Sequence, residues 1–93
     1  MKKFVEVICF DKSGKSIYAH VLSTSTIKGL AGIKRIDELE YDADAQVQLE
    51  SSIVDVMKSF AKSYNDSPID SLVPVDHILI YNDYSDTVNK YNV

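Results

Sequence analysis

Tryptophan is absent, cysteine occurs once, and only three glycines and two prolines interrupt the 93 residues. So few chain breakers exclude a collagen-like or low-complexity chain. A single cysteine, Cys9, cannot form an internal disulfide and suits a reducing compartment. No run of residues approaches the ~18 to 20 apolar positions that a membrane span needs. Met1-Lys2-Lys3 followed by apolar residues imitates a secretory leader, but Glu6 interrupts the run, Asp11 ends it, and no small-residue cleavage site follows. The expectation is a cytoplasmic protein with no membrane segment.

What is present is an ordinary globular composition, 45% hydrophobic and 26% charged. A chain this short buries roughly 60 to 65% of its unfolded surface on folding. That allows one core, so a single α+β domain spanning residues 1–93 is expected. The net charge of -4 conceals a division along the chain. Residues 1–35 hold seven basic side chains against two acids, and residues 36–93 hold three against twelve.

Lys3 to Phe10 and Ile17 to Leu22 read as strands rich in β-branched and aromatic residues, joined through Asp11-Lys12-Ser13-Gly14-Lys15-Ser16 as a hairpin. Pairing Asp11 with Ser16 would set Phe10 against Ile17, Cys9 against Tyr18 and Val7 against His20. One face then carries Phe4, Ile8, Phe10, Ile17, Ala19 and Val21, the other Val5, Val7, Cys9, Tyr18, His20 and Leu22. Residues 23–41 give a mixed signal and are read as a loop, a short helical turn and a strand near Asp37 to Tyr41. Ala43 to Tyr64 is the clearest element: Leu49, Ile53, Val56, Met57, Phe60 and Tyr64 form one helical stripe, opposite Asp44, Gln48, Ser51, Asp55, Lys58 and Lys62. Asp42 suits its N-cap, and Asn65 with Pro68 its end. Val75 to Tyr81 reads as a third strand, and Tyr84, Val88 and Tyr91 fall at the spacing of a short terminal helix. The expected fold is therefore α+β: a small, mostly antiparallel sheet, in the order β-β-x-α-β-α, packed on one long amphipathic helix.

Three motifs imitate chemistry and stop short of it. Cys9 to Ser16 ends like a phosphate-binding loop, but Cys9 replaces the first glycine and a strand follows where a helix is required. Asp42-Ala43-Asp44 opens like a calcium loop, but Val47 replaces the turn glycine and Ile53 the closing glutamate. Cys9 with His20 or His77 would need an orienting third group to act as nucleophile and base. No cofactor or metal is expected.

Two surfaces remain. In an extended segment the acids Glu38, Glu40, Asp42 and Asp44, with Asp37 beside them, would project as a row toward a basic protein surface. If the long helix covers the Phe4 face of the sheet, then the opposite face, carrying Tyr18, His20, His77, Leu79 and Tyr81, is left to water with too many apolar groups for a solitary molecule. The function expected is a non-catalytic, acidic protein-binding module, an adaptor or a stoichiometric inhibitor, with a second copy of the chain as one partner to consider. One alternative is a nucleic-acid module using the basic hairpin, against which the pI near 4.9 weighs. The other is a small hydrolase or nuclease built on Cys9, His20 and His77.

Overall fold

The computed structural model describes residues 3–66 and 74–93. β-Branched and aromatic residues form strands β1 (Val5–Phe10) and β2 (Ser16–Val21), joined by a tight turn. Asp11 builds that turn: its Oδ1 accepts hydrogen bonds from the Ser13 N–H at 2.9 Å, the Ser13 hydroxyl at 2.6 Å and the Lys15 N–H at 2.9 Å. Gly14 supplies the left-handed backbone the turn needs, at φ 89°.

Cys9 pairs with Tyr18 and Val7 with His20, as expected, but Phe10 faces Ser16 and not Ile17. A bulge between Cys9 and Phe10 absorbs Ile17 as an extra residue, so the alternation deduced from sequence slips by one at this end.

The segment read as a loop with a strand near Asp37 to Tyr41 contains no strand. It forms helix α1 (Thr24–Ala31) and a 3-10 turn over Ile36–Glu40. Ser23 caps α1 by accepting from the Thr26 N–H at 3.1 Å, and Gly32 ends it in the left-handed region, at φ 69°. Helix α2 (Ala43–Asn65) begins at Asp42, whose carboxylate accepts from the Ala45 N–H at 3.1 Å. Its 23 residues extend about 34 Å against about 20 Å for a six-residue strand, so the helix overruns the sheet. Pro68, expected to end the helix, lies outside the described residues. Asn65 ties the helix end to the next strand: its amide donates to the Val75 carbonyl at 3.1 Å and accepts from the Val75 N–H at 2.7 Å.

Strands β3 (His77–Asn82) and β4 (Thr87–Asn92) complete a four-stranded antiparallel sheet in the order β2-β1-β3-β4. The fold is thus the expected small antiparallel sheet packed on one long helix. The last element is a strand where helical spacing of Tyr84, Val88 and Tyr91 suggested a helix. Asn82 explains the difference: its side chain accepts from the N–H groups of Tyr84 and Ser85, and Asp86 turns through φ 54°, so the chain doubles back as a hairpin.

The register between β1 and β3 reverses the expected faces. Cys9 lies opposite Ile78, Val7 opposite Ile80 and Val5 opposite Asn82, so these share one side. That side is the core, where Val5, Val7, Cys9, Ile78 and Ile80 meet Leu49, Ile53 and Ala61 of α2, with Ile27 and Leu39 from the preceding segment. The helix therefore covers the Val5 face, and the Phe4 face is open.

Candidate functional site

The ten residues expected to bind a partner fall into three separate places. Asp37, Glu38, Glu40, Asp42 and Asp44 are not an extended row but a 3-10 turn leading into α2. Each of the first four has a local task. Asp37 pairs with the Arg35 guanidinium, which holds its carboxyl below the ordinary range, and Glu38 accepts from the N–H groups of Lys34 and Arg35. Glu40 pairs with Lys3 at 3.0 Å, and Asp42 caps α2. Asp44 stands in the first turn of α2, where a negative charge offsets the helix dipole.

His77, Leu79 and Tyr81 belong to the open sheet face. Residues opposite one another in the ladder share a side, so rows across the four strands read Ala19-Ile8-Leu79-Lys90 and Val21-Glu6-Tyr81-Val88. Phe10 faces His77 at one end, their rings stacked with centroids 5.0 Å apart, and Phe4 stacks on Tyr81 at 5.4 Å. His77 Nδ1 also lies 2.9 Å from an Asp76 carboxylate oxygen. Val21 and Val88 on the outer strands are 52% and 53% exposed, and Phe4 and Tyr81 are exposed as well. Sequence reasoning assigned Phe4, Ile8, Phe10, Val21 and Val88 no binding role. The signal that could have found them is Glu6: a carboxylate alternating with Phe4 and Ile8 marks the wet side of β1, since Val5, Val7 and Cys9 have no charged residue among them.

Tyr18 and His20 lie on the opposite, helix-covered side, at the rim where β2 ends the sheet. Tyr18 meets Phe60 of α2 with centroids 5.4 Å apart and stacks along its own strand on His20 at 6.2 Å. Beside them opens a cavity of about 170 Å³ between β2, α1 and α2, walled by Val7, Leu22, Leu30, Ile53, Val56 and Met57. A second, shallower hollow of about 310 Å³ lies at the other rim, where Tyr91 of β4 meets Val47, Glu50 and Val54. Glu50 also accepts from the Asn89 amide at 2.7 Å and so fastens β4 to the helix.

Cys9, His20 and His77 are not assembled as a nucleophile and base. Cys9 is fully buried under α2, and burial pushes its thiol up, away from the thiolate a nucleophile needs. His77 is on the far face of the sheet, and no hydrogen bond joins Cys9 to either histidine among the described residues. Among the described residues no three His, Cys, Asp or Glu side chains gather as metal ligands, and no helix is long and apolar enough to cross a membrane. Compared with models of known protein families, with curated proteins and with solved structures, the chain matches none.

Proposed function

We propose that this chain is a non-catalytic protein-binding module, an adaptor or a stoichiometric inhibitor, which engages its partner through the open face of the sheet. The observation that carries the reading is the one-sided packing: α1 and α2 lie on the Val5 face, while the other face exposes Phe4, Val21, Tyr81 and Val88 around half-buried Ile8, Phe10 and Leu79. Contiguous apolar area of that kind on a small domain marks an interface. Its aromatic content suits a protein surface, and Glu6, between Val21 and Tyr81, with Lys90 on the outer strand β4, gives it polar anchors.

Size bears on the strength of the complex. Four strands about 4.8 Å apart and about 20 Å long present a footprint on the order of 400 Å². A standard interface takes about 800 Å² from each partner. The face alone therefore supports a modest, exchangeable complex, and a tight one must also reach a rim of the sheet. The acidic turn contributes long-range attraction more than contact, since four of its five carboxylates already have local partners.

The test is affinity capture from native extract with the unmodified chain and with a Tyr81→Lys, Val88→Lys double variant. Both positions are exposed, so the variant keeps the circular dichroism and melting temperature of the parent. Partner recovery falls at least about tenfold, the consequence of losing two apolar anchors. Equal recovery by the variant would remove this face from the proposal. Light scattering on the free chain shows whether the partner is a second copy.

A further inference from the structure

We propose that β2 is a docking edge for a foreign peptide, which adds as a fifth strand and seats one aliphatic or aromatic side chain in the cavity between β2, α1 and α2. The proposal shares with the protein-binding reading only the class of partner; its surface is a different one.

The backbone supplies the first half of the argument. The Leu22 N–H donates to the Val5 carbonyl at 2.9 Å, which fixes the phase of the antiparallel ladder. Leu22, His20 and Tyr18 then turn their amide groups inward to β1, and Ala19 and Val21 turn theirs outward. Among the described residues nothing pairs with those outward groups. Natural edges are commonly blunted by charge, proline or a bulge; the bulge at Ile17 lies at the hairpin end, and beyond it Tyr18-Ala19-His20-Val21 contains no lysine, no acid and no proline. An added strand satisfies the outward groups of Ala19 and Val21.

The cavity supplies the second half. A residue of the added strand that lies opposite His20 has its neighbours paired with Ala19 and Val21, and its side chain points to the helix side of the sheet. There it meets the cavity of about 170 Å³, walled by Val7, Leu22, Leu30, Ile53, Val56 and Met57. An apolar cavity of about 150 Å³ is enough to hold a benzene ring, so one leucine, isoleucine, methionine or phenylalanine side chain fits.

The guest is not a second copy of this chain. On the cavity side the β2 residues Tyr18, His20 and Leu22 all line the cavity of their own chain already, and β4 offers Thr87, Asn89 and Tyr91. Asn89 is already held by Glu50, so at these positions neither edge offers a free aliphatic side chain to a second copy. Charge further narrows the partner. Residues 12–34, which form β2, α1 and their connections, hold Lys12, Lys15, Lys28 and Lys34 and no acid, while Arg35 is already paired with Asp37. The field on this side attracts a peptide whose apolar residue is flanked by aspartate or glutamate.

The experiment titrates the full chain with a fluorescein-labelled peptide, Glu-Asp-Thr-Thr-Leu-Thr-Thr-Asp-Glu, and with a panel replacing its leucine by isoleucine, methionine, phenylalanine, alanine or lysine. Anisotropy is expected to saturate for the large apolar residues, with alanine weaker by roughly tenfold or more and lysine weaker still. N-methylation of the two threonines beside the leucine abolishes binding, because it removes the donors that reach the Ala19 and Val21 carbonyls. Ala19→Pro, which an edge strand tolerates, and Val56→Asp, on a wall position 57% exposed, each reduce affinity at least about tenfold without lowering the parent helix content. Amide shifts on binding cluster at Ala19, Val21, Leu30 and Val56. No saturation by any member up to about 1 mM overturns the site, as does N-methylated peptide binding equally well. Shifts confined to Ile8, Leu79 and Tyr81 overturn the edge site while leaving the open-face reading intact.

Discussion

At the β1–β2 turn one carboxylate organises five residues, since Asp11 accepts from both the backbone and the hydroxyl of Ser13 and from the backbone of Lys15. The Ser13 hydroxyl first, and then the Lys15 N–H, hold this carboxyl below its ordinary value. A group depressed in the folded state stabilises it above the unfolded value, near ~3.9, and that support is lost as pH falls through the folded one. Acid should therefore weaken the hairpin, and Asp11→Asn should flatten the acid limb of a stability-versus-pH curve; equal limbs for variant and parent would rule the turn out as the acid-sensitive point. Burial works in the opposite sense on Tyr91, raising its phenol, with Glu50 adding to the effect. Stability from that group is complete below about pH 10 and is lost as pH rises through the raised value, which absorbance titration of the phenols reads directly. Cys9, sealed under α2 with a raised thiol, should resist a thiol reagent in the native chain and react at once in denaturant. Prompt labelling of the folded chain would show that the core opens there.

Among the elements, α2 carries the core and its ends set its limits. Asp42→Ala should cost about 1 kcal/mol and Asp42→Asn almost nothing, because asparagine keeps an acceptor for the Ala45 N–H. Thermal melts of the two variants separate capping from charge. Leu49→Ala, at a position with no exposed surface between helix and sheet, should cost about 2–5 kcal/mol. Gly32→Ala should cost about 1 kcal/mol, because φ 69° disfavours any side chain and the new Cβ would come within 2.9 Å of Gln48 Nε2. The same elements show how far the sequence could be read. Asp42, Leu49 and Ile53 declared themselves through spacing and cap chemistry, and the β1–β2 pairing followed from a short turn that leaves few registers. The pairing of β1 with β3 joins residues some seventy positions apart, and nothing local selects whether Cys9 faces Ile78 or His77. That one choice decides which face is wet. Tyr84, Val88 and Tyr91 misled for a related reason: a spacing of three or four that fits a helix also fits a turn followed by a strand, and Asn82 decided between them.

For the whole molecule, a sheet shielded on one side is a source of association. Raising the concentration of the free chain should shift its sedimentation toward a dimer if no foreign partner is present, and Leu79→Lys should suppress the shift; a concentration-independent monomer would show that the face alone is too small for self-pairing. The strand order has a consequence in time as well. Because β1 lies between β2 and β3 at the middle of the sheet, β1 must wait for residues made some seventy positions later before the central ladder can close. Until then Val5, Val7 and Cys9 have only the β2 hairpin beside them, while α2 can already be wound. A nascent chain halted before Ile78 should be sticky and susceptible to proteases, and one extended through Asn92, the end of β4, should reach the native state and resist them.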